Sequence, residues 1–352
     1  MKVGIYDPYI DVLGGGERYV ATIAELLSKV APVDLFVPQI QVKQKLLYQF
    51  NLNLNQVTFL SNEIFKKKGI LDKLHTLKKY DIFFYVTDGS LFFSSARNNF
   101  LIIQSPAHFP QNYLLNKFKL SNWKIICYSD FIAQIIRERI GLKSTILSPA
   151  IEENSDSSRK KENIILSVGR FFKYPHNKKQ DILIEVFKAN YKNKFKNYSL
   201  ILAGGLTEES GKVFLTSLRK KATGFPIYFS INLSFNELNT LYARAKIYWH
   251  AAGYGEDLDA YPERAEHFGI TTLEAMRSGC APLVFAGGGQ IEIIKDGENG
   301  YLWKNKEDLV NKTSQIIIDE KLRNSISANA KRSSSSYSKE KFYARLKKIL
   351  SL

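Results

Sequence analysis

The chain has 352 residues and a mass of 40.2 kDa, with 45% hydrophobic and 24% charged residues. This composition is typical of a globular protein and excludes a disordered, collagen-like or coiled-coil chain. The length is about twice that of an average domain, so two domains are predicted. Basic residues outnumber acidic ones by 50 to 34, a net charge of +16. That charge predicts an anionic partner: nucleic acid, a membrane surface or a phosphorylated small molecule.

Cysteine content and hydropathy bear on the compartment. Cys127 and Cys280 lie far apart and match no metal-binding spacing, so we expect reduced, buried thiols in a cytosolic protein. The N-terminal apolar run breaks too early for a signal peptide, and no apolar stretch approaches the roughly 18 residues of a membrane span. We expect a cytoplasmic protein that can rest on the inner face of the membrane.

Short apolar runs alternate with segments of helical period in the first 150 residues, which is typical of a parallel, doubly wound sheet. The predicted strands are 3–6, 33–37, 82–86, 100–103 and 125–128, and the predicted helices are 17–29 and 131–140.

A polar, serine-rich segment at 148–161 predicts an interdomain linker. The alternation then restarts, and a second polar break at 333–336 precedes a basic amphipathic helix. The predicted strands are 164–168, 200–203, 227–229, 247–250, 282–285 and 301–303, and the predicted helices are 181–189 and 271–278. The sequence therefore predicts two Rossmann-like α/β domains, 1–150 and 151–332, and a C-terminal helical segment, 333–352.

Two glutamates flank a predicted helix start. Glu266 falls in the loop before the helix and Glu274 in its first turns, with start signals at 269–272. A helix N-terminus suits a phosphate, and a sugar diphosphate could place its hydroxyls against the two carboxylates. Taken alone, the pair is better explained by a capped helix with a solvated glutamate.

A glycine-rich turn follows. Gly287, Gly288 and Gly289 connect a strand to the next helical segment, and glycines let backbone N–H groups approach a pyrophosphate closely. A tight turn is the competing explanation, although three consecutive glycines are more than a turn requires.

In combination these motifs resemble the retaining glycosyltransferases of family 4, and the resemblance covers nearly the whole chain. It rests on EHFGITTLEAM (266–276), SGCAPLV (278–284), GGGQIEII (287–294), DGENGYLW (296–303), LGGGERY (13–19), CYSDF (127–131), ILSPAI (146–151), SVGRFFKYPHNKKQDILIEVF (167–187) and AKIYWHAAGYGE (245–256). It implies the GT-B fold, with two Rossmann-like domains facing across a cleft. The first would bind the acceptor, the second the nucleotide-sugar donor, and the C-terminal helix would pack back across both.

The resemblance implies specific roles in the donor site. Arg170 and Lys178 would clamp the diphosphate and stabilise the leaving group. Lys179 stands where the family usually has glycine, which leaves the lysine assignment open by one position. Glu266 would touch the transferred sugar and Glu274 would hold the ribose hydroxyls. The competing explanation for Arg170, Lys178 and Lys179 is that each is an ordinary charged residue on the surface.

Backbone groups would complete the site. The phosphate cradle would be formed by the amides of Gly288 and Gly289 and the helix start at Ile270, Thr271 and Thr272, while Gly15 and Gly16 would approach the diphosphate or the acceptor.

The acceptor residues are expected at the carboxyl ends of strands in the first domain, where open α/β sheets place ligands. Asp88 and Ser90 follow one strand, and Gln104 and His108 follow another. Some relatives carry a histidine near this point that contacts the transferred sugar. Either His108 or Gln104 would take that place, and the competing explanation for His108 is a loop histidine without a site role.

No double-displacement mechanism is assigned, because that requires a carboxylate nucleophile under the anomeric carbon. The family is thought to use front-face attack, in which the leaving phosphate helps deprotonate the acceptor. Asp257 and Asp259 have the Asp-x-Asp spacing of metal-dependent transferases, but they fall in a polar loop rather than directly after a strand. No metal and no other cofactor is expected.

The positive charge is concentrated in two segments. Residues 64–79 hold six lysines and one aspartate, with apolar residues at helical spacing. We interpret this segment as a basic amphipathic helix for an anionic membrane, against the alternative of a solvated face over a core stripe. The second segment, 331–352, is assigned to packing. No nucleic-acid-binding motif accompanies the charge, so nucleic acid is not expected as a partner.

The predicted function is a retaining, metal-independent glycosyltransferase. It would move a hexose from a nucleotide diphosphate sugar, GDP-mannose or a UDP-hexose, to a glycan or lipid-linked acceptor in cell-surface polysaccharide or glycoconjugate synthesis. The alternatives are a nucleotide-sugar epimerase or hydrolase on the same fold, and a non-catalytic nucleotide-sugar-binding partner subunit. An NAD dehydrogenase is disfavoured, because Gly14-Gly15-Gly16 does not form G-x-G-x-x-G.

Overall fold

The computed structural model describes residues 1–66, 69–110, 113–152, 159–173, 177–206 and 209–352. The chain divides into two units: Met1–Ala150 with Phe342–Leu352, and Ile151–Lys341. Part of the predicted linker, 153–158, and part of the predicted basic helix, 67–68, lie outside the described residues.

The first unit is built on a parallel sheet, which has seven strands in the described residues. The strands are β1 (Val3–Tyr6), β2 (Val33–Val37), β3 (Val57–Ser61), β4 (Ile82–Val86), β5 (Asn98–Ile103), β6 (Lys124–Cys127) and β7 (Ser144–Ile146). Their order is β3-β2-β1-β4-β5-β6-β7, and every neighbouring pair is parallel. The central strands are buried along almost their whole length, because helices cover both faces of a parallel sheet.

Helices connect these strands and supply the crossovers that parallel pairing requires. They are α1 (Gly15–Ser28), α2 (Val42–Phe50), α3 (Glu63–Lys66), α4 (Ile70–Leu77), α5 (Tyr113–Leu120) and α6 (Asp130–Ile140). The predicted inward residues of α6, Ile132, Ile135 and Ile136, are buried as expected. The predicted single helix over 64–79 is instead two helices, α3 and α4, in its described part.

The second unit repeats the architecture with six strands in the described residues. They are β8 (Glu162–Val168), β9 (Ser199–Gly204), β10 (Ile227–Ile231), β11 (Ala245–His250), β12 (Ala281–Phe285) and β13 (Tyr301–Trp303), in the order β10-β9-β8-β11-β12-β13. The helices are α7 (Gln180–Asn190), α8 (Glu209–Ala222), α9 (Phe235–Arg244), α10 (Ile270–Arg277), α11 (Gln290–Ile293), α12 (Lys306–Ile318), α13 (Glu320–Ser334) and α14 (Lys339–Leu350). From Phe342 onward, α14 belongs to the first unit.

The polar break predicted at 333–336 falls at the junction between α13 and α14. Helix α13 continues to Ser334, and a 3₁₀ turn follows at Ser335–Tyr337. The serine hydroxyls donate to carbonyl groups one turn back, Ser334 to Lys331 and Ser335 to Arg332, so the start of the polar run is hydrogen-bonded to the last turn of the helix.

Both cysteines are fully buried thiols that take part in no disulfide, as the sequence predicts. Within the described ranges, no helix is both long and apolar enough to cross a bilayer.

Each sheet reverses its strand order at one point: between β1 and β4 in the first unit, and between β8 and β11 in the second. Ligands of doubly wound sheets bind beyond the carboxyl ends of the strands at such a point. In the second unit, the ends of β8 and β9 approach closely. A Cβ built on Gly204 would lie 2.0 Å from the carbonyl oxygen of Gly169, so glycine is required where the chain turns toward Arg170.

We predict that Gly204→Ala destabilises the second unit by about 1–3 kcal/mol, because the added methyl group overlaps backbone atoms that can move only at a cost in free energy. The measurement is urea unfolding with hydrogen exchange of peptides from each unit. Gly69→Ala is the control, since its Cβ would meet no atom within 4 Å. Equal stability of the two variants would contradict this account of β8 and β9.

Candidate active site

Glu266 lies in the loop before α10, and two basic side chains converge on one of its oxygens. The Oε2 atom accepts from Lys178 Nζ at 2.7 Å and from His250 Nε2 at 2.8 Å. Burial alone would raise the pKa of Glu266, but the charge of Lys178 and the hydrogen bond from His250 hold it well below its usual range. The carboxylate is therefore ionised at physiological pH and acts as an acceptor only.

Lys178, rather than Lys179, is the lysine that reaches Glu266. Its stem passes over Gly169, where a Cβ would lie 2.7 Å from Lys178 Cγ. Lys179 has a left-handed backbone, with φ of 54°, which explains why glycine suits this position. Its ammonium group pairs with Glu256, which also accepts from Arg264 at 2.8 Å. The expected role of Lys179 in donor binding is thus not supported by the direction of its side chain.

Arg170 follows β8 at the same edge of the sheet. Its backbone is fixed from both sides: the amide of Phe171 donates to Gly205, and Gln180 Nε2 donates to the carbonyl of Arg170 at 3.1 Å. Within the described residues, no carboxylate forms an ion pair with its guanidinium group. A guanidinium group can offer an anion two parallel N–H donors, and Arg170 is placed at the sheet edge where it could do so.

Two buried tyrosines hold the N-terminus of helix α10 and the side chain of Glu274 in place. Tyr242 donates to Glu274 Oε2 at 3.0 Å, and Tyr248 donates to Thr271 Oγ1 at 2.8 Å. Burial, together with the charge of Glu274 in the case of Tyr242, raises the pKa of both phenols. Their hydroxyls therefore stay protonated and hold the helix start. Thr272, next in the helix, accepts from Gln290 at 3.0 Å.

The glycine-rich turn packs against the loop that carries Glu266. Gly288 has φ of +62°, and a Cβ there would lie 2.2 Å from the carbonyl oxygen of Glu266. The amide of Gly289 donates to that same carbonyl at 2.8 Å. The sequence predicts that the amide of Gly289 binds a phosphate. In the structure this amide already donates to a protein acceptor, which differs from that prediction. These glycines position the Glu266 loop by close backbone contact.

In the first unit, Gly16 and Gln104 meet at the carboxyl edge of the sheet. Gly16 is the second residue of α1, directly after Gly15, and a Cβ on it would lie 2.3 Å from Gln104 Oε1. Beside them is Asp7, at the end of β1, a residue that our sequence reasoning missed. Burial and the neighbouring charge of Glu17 raise the pKa of Asp7 well above its usual range.

Asp88 and Ser90 form a turn after β4. Ser90 N donates to Asp88 Oδ1 at 2.9 Å, and Tyr85 donates to the same oxygen at 3.0 Å. Desolvation opposes ionisation, but the hydrogen bonds from Ser90 lower the pKa of Asp88 overall. His108 stacks on Tyr9 with ring centroids 5.2 Å apart, and burial lowers the pKa of His108.

Asp257 takes a structural role: its Oδ1 accepts from the amide of Ala260 within a turn. In the described parts of the chain, no group of three His, Cys, Asp or Glu side chains is arranged to hold a metal ion.

His250 is the second site residue that our sequence reasoning missed. It ends β11 at the carboxyl edge, the same placement that identified Asp88 and Gln104 as candidates, so strand-end position was a usable signal.

We predict that Glu266→Gln costs about 2 kcal/mol of stability at pH 7, the scale of a charge-assisted hydrogen bond. A carboxyl group with a lowered pKa stabilises above its unfolded value of about 4.3 and loses that contribution as the pH falls through its folded value. The difference in the free energy of unfolding between wild type and variant should stay constant from pH 5 to 8 and disappear below about pH 4. Urea midpoints at each pH measure it, and a gap that changes between pH 5 and 8 would contradict the ionised state.

Both the sequence and the fold of the chain are similar to those of known proteins. The family model for glycosyl transferases group 1 matches residues 150–333, just over half of the chain. An uncharacterised glycosyltransferase of Methanocaldococcus jannaschii is 28% identical over 230 residues, which is 64% of this chain and 58% of that protein. The alignment thus spans less than two thirds of that relative's length.

Two solved structures resemble the whole chain. The Anabaena protein HepE in complex with UDP-glucose has a TM-score of 0.76 at 20% identity, covering 100% of this chain and 99% of its own. A glycosyltransferase of Rickettsia africae has a TM-score of 0.79 at 15% identity, covering 99% and 97%. These likenesses confirm the predicted GT-B class of α/β fold. The family match over more than half of the chain establishes that the chain belongs to the glycosyl transferases of group 1.

Proposed function

We propose that the protein is a retaining, metal-independent glycosyltransferase of family 4 that transfers a hexose from a nucleotide diphosphate sugar to a glycan or lipid-linked acceptor. The observation that carries this proposal is the convergence of Lys178 and His250 on one oxygen of Glu266, directly before the N-terminus of α10. An ionised carboxylate, a cation and a helix start in one place suit a sugar diphosphate.

We propose a UDP-hexose as the donor, with GDP-mannose as the alternative. The support is the crystal structure of HepE in complex with UDP-glucose. Arg170 and Lys178 would bind the diphosphate, Glu274 the ribose and Glu266 the hexose. The start of α10, Ile270–Thr272, would direct its first N–H groups at a phosphate.

The chemistry required of these residues is leaving-group stabilisation and positioning. Arg170 and Lys178 would offset the charge that grows on the departing diphosphate. Glu266 is held by two donors, so it serves to orient a sugar hydroxyl and not as a mobile nucleophile. Retention would then follow from attack on the same face, with the leaving phosphate oxygen accepting the proton of the acceptor hydroxyl.

The acceptor would bind in the first unit, at the carboxyl ends of β1, β4 and β5. Asp88 and Gln104 offer hydrogen-bonding groups there, and the stacked pair of Tyr9 and His108 offers an aromatic face. Gly15 and Gly16 begin α1 at the same edge. Synthesis of a cell-surface polysaccharide or glycoconjugate is the pathway class that we propose.

The test of the donor site is a thermal-shift panel of UDP, GDP, ADP and their sugars, each with and without EDTA. A ligand at 100 times its Kd should add about 2.7 kcal/mol of stability. We expect a shift with UDP and UDP-glucose that EDTA leaves unchanged. Loss of the shift with EDTA would contradict a metal-independent site, and no shift with any nucleotide would favour a non-catalytic partner subunit.

Matched variants locate the site. Lys178→Ala should lower affinity for UDP-glucose about tenfold or more, whereas Lys179→Ala should change it little, because Lys179 pairs with Glu256. Glu274→Gln keeps an acceptor for Tyr242 and should weaken nucleotide binding at an unchanged melting temperature. Equal effects of the two lysine variants, or a large drop in the melting temperature of Glu274→Gln, would contradict these assignments.

An epimerase is distinguished by its product. Incubation with UDP-glucose alone should give no epimerised nucleotide sugar by NMR; appearance of UDP-galactose would favour the alternative.

We propose further that α4 contacts an anionic membrane surface on the cytoplasmic side, which would bring lipid-linked acceptors to the first unit. Ile70 and Leu71 are 66% and 81% exposed at the start of α4, and lysines lie nearby in sequence at 66, 73, 78 and 79. On α5, Phe118 is 76% exposed between Lys117 and Lys119. Exposed apolar side chains among lysines are the pattern of an interfacial helix.

We predict that Ile70→Gln with Leu71→Gln reduces co-sedimentation with phosphatidylglycerol vesicles at least fivefold, on the scale of burying two aliphatic side chains. Phosphatidylcholine vesicles should bind weakly from the start. Ile318→Gln is the control, since Ile318 is 82% exposed in the other unit. Equal binding by the double variant and the control would contradict a membrane role for α4.

A further inference from the structure

We infer that His250 is a positioning residue for Glu266: with Lys178 it fixes the oxygen Oε2 and thereby reserves the oxygen Oε1 for the donor sugar. The inference rests on the proposed donor site and adds a residue to it. Two contacts of the carboxylate, 2.7 Å to Lys178 and 2.8 Å to His250, go to Oε2. Among the described residues, no protein group hydrogen-bonds to Oε1.

The backbone of His250 is itself held firmly. It pairs with Val284 of the neighbouring strand β12, and its carbonyl accepts from Trp303 Nε1 at 3.2 Å. Its side chain is 2% exposed. Tyr248, two residues earlier on the same face of β11, holds Thr271 in the same way. One rigid strand thus supports both the Glu266 loop and the start of α10.

The hydrogen-bonding pattern defines the tautomer of His250. Glu266 is ionised, so Nε2 must carry the proton that is shared with Oε2. The other ring nitrogen, Nδ1, is buried and has no partner in the described residues. A proton on Nδ1 would be buried without an acceptor, at a cost that disfavours it. A proton on Nε2, donated to Oε2 of Glu266, is therefore the arrangement that fits the site.

His250 gains importance when the donor binds. Lys178 would also bind the diphosphate, as proposed above, so its ammonium group would be shared between the diphosphate and Glu266 once the nucleotide sugar is bound. The orientation of the buried carboxylate would then depend more on the hydrogen bond from His250. Misplacement by about 1 Å at such a point costs up to 100-fold in rate.

The test compares two substitutions. Gln places its amide nitrogen close to the position of Nε2, whereas Phe keeps the ring volume and removes the donor. With UDP-glucose hydrolysis as the assay, His250→Phe should lower kcat about tenfold or more and leave the Kd for UDP within about twofold. His250→Gln should recover most of the lost kcat. Equal damage in both variants, or parallel loss of UDP affinity, would overturn the positioning role.

A second measurement requires no nucleotide sugar, so its outcome distinguishes a failure of this inference from a failure of the proposed function. In ligand-free protein with ¹⁵N-labelled histidine, His250 should show a hydrogen-bonded Nε2–H proton at low field. Glu266→Leu should move that proton upfield, and Lys178→Ala should retain it. If the wild type neither binds nor hydrolyses UDP-glucose, the proposed donor sugar is wrong, whereas the NMR test of the hydrogen bond between His250 and Glu266 remains valid. Absence of the proton, or no response to Glu266→Leu, would overturn the inference itself.

Discussion

The geometry of the proposed donor site depends on one carboxylate oxygen, Oε2 of Glu266, which is shared by an ammonium group and an imidazole. Burial opposes a charge at this position, and the two donors compensate for it. The arrangement requires three chain segments to meet: the loop before α7, the end of β11 and the loop before α10. Reversal of strand order between β8 and β11 brings these segments to one edge of the sheet.

Glycine makes that meeting possible. Gly169 leaves room for the stem of Lys178, and Gly288 lies against the carbonyl of Glu266 at a distance that no side chain could tolerate. Gly204 allows the ends of β8 and β9 to approach. The glycines of this unit therefore act on the site through the backbone, and Gly289 adds a hydrogen bond to the same carbonyl. A phosphate cradle would be built on the α10 start more than on Gly289.

Much of this organisation could be predicted from the sequence, for identifiable reasons. Strand β4 is buried on both faces, and its continuous apolar run marks it clearly. The edge strands β3 and β7 are only partly buried and were not predicted, because their pattern is weaker. Glu266 and Glu274 were found by their spacing around a helix start. His250 was not, because its partner is 16 positions away and only the fold brings the two together. The sequence could not separate Lys178 from Lys179, since only the left-handed backbone of Lys179 turns its side chain elsewhere.

The central claim is that Glu266 contacts the transferred sugar while the nucleotide is held by other residues. Isothermal titration of UDP and UDP-glucose against wild type and Glu266→Gln tests it most directly. We expect the variant to bind UDP within about twofold of wild type and UDP-glucose about ten- to a hundredfold more weakly, the range of one charge-assisted hydrogen bond. Equal losses for UDP and UDP-glucose, or no loss for either, would contradict the claim.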